Sequence, residues 1–253
     1  MKVATWNVNG IRARQGQLLE WLAAEQPDIV CLQEIKASID QLTFELRDIE
    51  GYWGHWHGGK GYSGVALLFA KSFADPCPAL LHPVFDFEQR VCTATVPTAA
   101  GEIEFASVYV PNGGKDFPAK MSFLEGIETW AADAQQRGHQ LVLCGDLNVA
   151  RSDMDIHPKE RKPNQVGARP DERALLEQIL SRDLVDVGRA MDPANENLFT
   201  WWAPWRNLRQ RNIGWRIDYV LASSALAAAV RSIAVRREFG TSDHGPVVAE
   251  FNL

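Results

Sequence analysis

Apolar runs of five to seven residues alternate along this chain with stretches whose apolar positions recur every three or four residues. Lys2 to Trp6 reads as a strand. Residues 11 to 25 then carry Leu18, Leu19 and Leu22 on one helical face, and Pro27-Asp28 closes that helix. "IVCLQE" is a short apolar strand with a polar end, and "GVALLFA" is a buried strand. Between them, Ile39, Leu42, Leu46 and Ile49 keep helical spacing. "RVCTATV" and "EIEFASVYV" flank "PTAAG" and predict a hairpin. A longer helix runs from Phe117 to Gln136, with Phe117, Met121, Leu124, Ile127 and Ala131 toward the core. "LVLCGDLN" is a buried strand ending in polar residues. Pro170 opens another helix, with Asp171 and Glu172 in the first turn where the helix dipole favours acids. "RIDYVLAS", a segment near "AVRREF", and "PVVAEFNL" complete the strands. Strands and helices alternate, but hairpin-like regions break a strict βαβ rhythm, so mixed sheets are expected.

Length and composition narrow the class. At 253 residues and 46% hydrophobic, one large α/β domain is expected, spanning residues 1–253. No apolar run reaches membrane-spanning length, and a strand starts immediately after Met1, leaving no room for a signal peptide. Four widely spaced cysteines, with no CxxC pair, are expected to be reduced thiols, and a cytoplasmic location fits them. The net charge of -6 argues against coating nucleic acid by bulk charge. It does not exclude a nucleic-acid enzyme, since a metal site concentrates carboxylates while a local basic rim can bind phosphate. Basic groupings occur at Arg12 with Arg14, at Lys159, Arg161 and Lys162, and at Arg206, Arg209, Arg211 and Arg216. The 151–170 stretch is long for a structureless connection, which marks it as functional or disordered.

The polar residues fall in a pattern. Asn7 and Asn9 end the first strand, and Gln33 and Glu34 the second. Tyr109 and Asn112 lie at the end of "FASVYVPN", Asp146 and Asn148 at that of "LVLCGDLN". Asp218 sits within the apolar "RIDYVL", and Asp243-His244 precedes the last strand. Individually each has an ordinary structural explanation. Together they supply oxygen ligands from rigid elements with few carboxylates, as a hard cation needs.

"TWNVNGIRA", "LQEIK", "GYSGVALL", "YVPNGG", "GDLNVA", "GWRIDYVLAS" and "TSDHGPV" resemble, in order and from residue 2 to residue 252, the exonuclease III family of abasic-site endonucleases. "GDLN" and "SDHGP" alone mark only the wider superfamily of metal-dependent phosphodiesterases. "LQEIK", "GYSG", "FTWW" and "GWRIDY" lie closer to its DNA-repair branch. The resemblance implies a four-layer α/β sandwich, two mixed β-sheets packed face to face with flanking helices. It implies a metal site at Asn7, Glu34, Asp146, Asn148 and Asp243, holding Mg²⁺ with Mn²⁺ as the alternative and Glu34 as the main direct ligand. Asn9 departs from relatives that carry Asp there, which lowers cation affinity or shifts preference toward Mn²⁺.

By the same resemblance Asp146 aligns the attacking water, ionised at an ordinary carboxylate pKa. Asn148 holds Asp146, Asp218 orients His244 on the scissile phosphate, and Tyr109 reaches the leaving-group side. Arg12, Lys36, Lys115 and the 206–216 arginines are expected on backbone phosphates, and Trp201 and Trp215 as walls of a pocket for a base-less sugar. The implied substrate is duplex DNA with abasic sites or blocked 3′ ends, cut by a monomer. A same-fold phosphodiesterase acting on a non-DNA phosphate ester is the competing reading.

Overall fold

The computed structural model describes residues 1–253. Its strands are β1 (Lys2–Asn7), β2 (Ile29–Gln33), β3 (Tyr52–His57), β4 (Val65–Ala70), β5 (Leu80–Leu81), β6 (Val91–Thr98), β7 (Gly101–Tyr109), β8 (Gln140–Asp146), β9 (Leu184–Asp186), β10 (Asp218–Ser223), β11 (Val230–Val235) and β12 (Val247–Phe251). The helices are α1 (Ile11–Glu25), α2 (Phe44–Arg47), α3 (Phe117–Gln136), α4 (Pro170–Leu180), α5 (Val187–Met191) and α6 (Ser224–Ala227). They form two mixed six-stranded sheets, ordered β11-β12-β1-β2-β4-β3 and β5-β6-β7-β8-β10-β9.

The sheets pack face to face. Val3, Ile29, Cys31, Leu67 and Phe69 of the first meet Cys92, Phe105, Val142, Cys144 and Val220 of the second. The outer face of the first sheet is covered by α1 through Leu18, Trp21 and Leu22. That of the second is covered by α3 and α4 through Phe123, Leu124, Ile127, Leu176 and Ile179. Central strands are thus buried on both faces, which is why they read as continuous apolar runs. The four-layer α/β sandwich is as the resemblance implied.

Several local expectations change. Ile39 to Ile49 does not form one helix: a 3₁₀ turn at Ile39–Gln41 and the single-turn α2 replace it, and Ile39 is exposed. The buried face of α3 is rotated to include Phe123 and the fully buried Lys120. Asp218 begins β10 rather than lying inside it, and β11 ends at Val235, ahead of the "RREF" segment. The edge strand β3 lacks a clear apolar pattern, being only partly buried along most of its length. The four cysteines are free, and Cys31, Cys92 and Cys144 are buried. No helix is long and apolar enough to cross a membrane.

Candidate active site

Strand polarity creates the site. β1 runs parallel to β2, and β7 parallel to β8, so their C-terminal ends share one edge of the sandwich. The register sets Tyr109 beside Asp146. β10 enters antiparallel, and its first residue, Asp218, faces Asp146 from the other side. The loop before β12 supplies Asp243 and His244. It is tied down by Trp202 N donating to the Asp243 carbonyl at 2.9 Å and Trp6 Nε1 donating to the His244 carbonyl at 3.2 Å.

Within "GDLN" each position has a physical reason. A Cβ at Gly145 would lie 1.9 Å from the Val108 carbonyl oxygen, and its φ of +150° already disfavours an L side chain. Asp146, 1% exposed, ends the strand. Strand geometry does not continue to Asn148, whose φ is +50°, a left-handed turn that asparagine tolerates. The turn folds Asn148 back onto Asp146. Its backbone N donates to Asp146 Oδ1 at 2.9 Å, and its Nδ2 lies 3.2 Å from Oδ2 and 2.9 Å from the Val110 carbonyl. The pairing expected from an i, i+2 strand face therefore arises from a turn. Lys120 Nζ donates to the Asn148 carbonyl at 2.7 Å and to that of Asn112 at 3.2 Å. It also forms an ion pair with Glu172, both side chains fully buried.

His244 Nδ1 donates to Asp218 Oδ2 at 2.9 Å, while Nε2 stands 3.9 Å from Asp146 Oδ2. Burial disfavours a charged imidazole, but the Asp218 carboxylate, with Asp146 and Asp243 nearby, overrides it and raises the His244 pKa to about 10. Asp218 Oδ1 is buried without a hydrogen-bond partner, so this carboxylate depends on the imidazolium for compensation. The ordinary pKa expected for Asp146 is not what the site gives. Burial, helped by Asp218 and Glu34 and opposed by the His244 charge, raises it to about 7. A carboxylate near neutrality is a better general base than an unperturbed one.

Glu34 anchors the other half of the site. Tyr109 Oη donates to its Oε1 at 2.7 Å, and Asn7 Nδ2 bridges Glu34 Oε1 at 3.1 Å and Asp146 Oδ2 at 3.0 Å. Glu34 has φ +51°, which for a non-glycine residue costs roughly 1–3 kcal/mol and persists only where surroundings enforce it. Burial opposes its charge, but the Lys36 ammonium at 2.7 Å from Oε2 and the His244 charge hold its pKa below the usual carboxylate range. Asp243 Oδ1 accepts from Asn9 Nδ2 at 2.9 Å, and Oδ2 from Trp201 Nε1 at 3.0 Å. Glu34, Asp146 and His244 bring ligand atoms within 4.8 Å of one another. Two carboxylates at strand ends suit a small hard cation, while Asn7 presents its Nδ2 to both of them and its Oδ1 accepts from Asn9 N at 3.0 Å.

These groups line a cavity of about 340 Å³ with Asn112, Val166, Gly167, Trp201, Trp215 and Ile217. The two tryptophans pair backbone to backbone and pack edge to face, with ring centroids 6.4 Å apart. Gly167 passes so close that an added Cβ would touch the Trp215 ring and the Asn148 carbonyl at 3.2 Å.

Comparison with known proteins places this geometry. Residues 4–244 match the Endonuclease/Exonuclease/phosphatase family. The chain belongs to that family. It is 32% identical to an exodeoxyribonuclease of Bacillus subtilis, over 100% of both chains. Its fold matches a Neisseria 3′ phosphatase bound to a product DNA hairpin, at TM-score 0.87, 32% identity and full coverage of both. An AP endonuclease from Archaeoglobus fulgidus matches at TM-score 0.87 and 30% identity, again over the whole of both chains.

In this family member the basic residues divide differently from expectation. Arg12 and Lys115 are exposed, as a phosphate-gripping role requires. Lys36 turns inward, onto Glu34 and onto Asn9 Oδ1 at 2.6 Å. Arg216 is not available to phosphate: it is 3% exposed and bridges Asp155 at 2.7 Å and both oxygens of Asp186 at 2.8 Å. Arg209 is committed to the carbonyls of Arg237, Phe239, Gly240 and Ser242. Arg206 and Arg211 remain exposed. Trp202 is a core residue, whereas Trp205, 59% exposed beside Arg206, was not anticipated. Nor was Arg90, buried with its guanidinium 4.6 Å above the Tyr109 ring. Its position after "FDFEQ" carries no sequence signal, because the contact arises only when β6 and β7 pair.

Proposed function

We propose that this chain is a divalent-metal-dependent DNA-repair nuclease that hydrolyses the phosphodiester 5′ to abasic sites and trims or cleans 3′ ends. One observation carries the reading. Asp146 with Asn148, and His244 with Asp218, form two buried hydrogen-bonded pairs whose nearest approach is His244 Nε2 to Asp146 Oδ2 at 3.9 Å, and Asp146, Asn148 and His244 line a cavity walled by Trp201 and Trp215. The relatives support it: they are named as an exodeoxyribonuclease, a 3′ phosphatase and an AP endonuclease. Four free thiols are in keeping with a reducing cytoplasm, and a monomer is the state expected of it.

Glu34 and Asp146 would hold Mg²⁺, with Mn²⁺ the alternative; Asn7, now donating Nδ2 to both, would join them only with its amide turned to present Oδ1, and Asp243 with its Asn9 partner stands beside them. The cation supplies charge neutralisation at the phosphate and leaving oxygen. Asp146 accepts a proton from the attacking water, and Asn148, donating to both its carboxylate oxygens, fixes its orientation. The His244 imidazolium presents Nε2–H to a non-bridging phosphate oxygen and stabilises charge as it builds. Tyr109, whose phenol is pushed up by burial and by Glu34, stays protonated, and its single proton, given to Glu34 Oε1 in the free protein, would turn to the leaving oxygen once Glu34 holds the cation. Trp201, Trp215 and Ile217 offer an apolar wall to a base-less sugar, and a nucleotide still carrying its base would collide with it.

The test is incubation of labelled abasic, blunt and 3′-phosphate duplexes with Mg²⁺ and with EDTA. Metal-dependent incision of the abasic strand, abolished by Asp146→Asn, is expected. Incision that survives either EDTA or that substitution would overturn the reading, as would turnover confined to non-DNA phosphate esters.

A further inference from the structure

A second group of ligating side chains lies outside the site, where the edges of the two sheets approach. His57 ends β3, the edge strand of one sheet, and His82 follows β5, the edge strand of the other. Asp86 lies in the loop between β5 and β6. Each offers one ligand atom, and all three atoms lie within 4.8 Å of one another. His57 Nε2 is 2.6 Å from Asp86 Oδ2, and the imidazoles of His57 and His82 face each other with centroids 3.9 Å apart and planes 34° apart.

We propose that His57, His82 and Asp86 form a binding site for a borderline transition cation, Zn²⁺ foremost, that clamps the open edge of the sandwich. Two imidazoles and one carboxylate are a zinc donor set, with the fourth tetrahedral position left to water. This differs in kind from the oxygen-rich set around Glu34. The carboxylate is preorganised: Asp86 Oδ1 accepts from Arg90 N at 2.7 Å and Val91 N at 2.9 Å, which aims Oδ2 at His57. Such outer support is what orients metal ligands.

The direct His57–Asp86 hydrogen bond accounts for two of the three groups. His82 is exposed and stacked on His57, with Nδ1 3.4 Å from the Val91 carbonyl, which leaves Nε2 to ligate. A cation at Zn–N distances of about 2.0–2.1 Å needs donors roughly 3.3 Å apart, so the 2.6 Å pair opens by less than an ångström to admit it. Asp86 holds the Arg90 backbone, and the Arg90 side chain lies over the Tyr109 ring.

The test uses the intact chain, stripped by a chelator and then titrated with Zn²⁺ against a chromophoric indicator, with Mg²⁺ in large excess. One equivalent should bind. His82→Ala, at an exposed position, should weaken it by at least roughly tenfold, and should abolish the visible band of tetrahedral Co²⁺ in the substituted protein. Glu34→Gln should retain the site, and so should Cys77→Ser, which removes the thiol 3.5 Å from His55 Nε2 on the same strand. Equal binding by wild type and His82→Ala would overturn the proposal. So would binding lost in Glu34→Gln or Cys77→Ser instead, or no binding at all.

Discussion

At the scale of single residues, the site is a set of charges that set one another's protonation. His244 has its raised pKa because Asp218 is 2.9 Å away and otherwise poorly compensated. Below about pH 10 the imidazolium is present and can stabilise phosphate charge; above it the proton is lost and turnover should fall. Asp218→Asn removes the carboxylate that holds the proton. The alkaline limb of the pH–kcat profile should therefore move down toward the ordinary imidazole range, with neutral-pH kcat reduced by about 10²-fold or more. An alkaline limb that stays in place would show that His244 does not hold the relevant proton. The partner of this effect is Asn148. It contributes three contacts at once, to Asp146, to the Val110 carbonyl and to Asn112. Asn148→Ala should cost about 10²–10³ in kcat, the size expected for losing one preorganised donor. KM should change much less, which steady-state kinetics on an abasic duplex would check.

At the scale of elements, the site depends on how closely strands approach and how loops are pinned. β7 and β8 approach at Gly145 with no room for a methyl group against Val108. Gly145→Ala should destabilise by at least about 1–3 kcal/mol, as overpacking does, and should lower activity because Tyr109 and Asp146 lie one residue beyond. Urea unfolding alongside incision assays would show both. The Trp215–Ile217 wall is pinned differently, by Arg216 between Asp155 and Asp186, with Arg189 and Arg151 as outer partners. Arg216→Met leaves two buried carboxylates short of a partner. A loss of about 3–5 kcal/mol is expected for breaking such a pair, toward the lower end here because Arg189 and Arg151 remain. These elements also show what the sequence could and could not say. Strands buried on both faces declared themselves as apolar runs, and polar residues at their ends stood out against that background. Arg216, in "GWRIDY", looked like one more phosphate-binding arginine, because its partners lie 30 and 61 residues away. Asp146 looked ordinary for the same reason: its pKa is set by burial and by groups from other strands. The helix expected across residues 39–49 failed because apolar spacing alone does not secure a helix: Ile39 found no core to face.

At the scale of the whole molecule, the protein carries a net charge of -6 yet must approach a polyanion. Bulk charge opposes that approach, so association has to rest on local exposed cations. The folded chain narrows them. Of the residues expected on phosphate, Lys36, Arg209 and Arg216 are engaged internally, while Arg12 on the first turn of α1, Lys115 before α3, and Arg206 and Arg211 in the tryptophan-bearing loop stay exposed, as do Lys159, Arg161 and Lys162. Each cation that meets a phosphate releases condensed counterions, contributing about 0.9 to the slope of log affinity against log salt on duplex DNA. Lys115→Ala should therefore lower that slope by about 1 and weaken binding across sequences, with kcat at saturating substrate unchanged, since no site group touches Lys115. Arg216→Met, by contrast, should leave the slope as it is while lowering stability. Measuring kcat/KM on an abasic duplex from low to physiological salt separates the two. If Arg216→Met flattened the salt dependence and Lys115→Ala did not, the division between gripping and structural arginines drawn from the fold would be wrong.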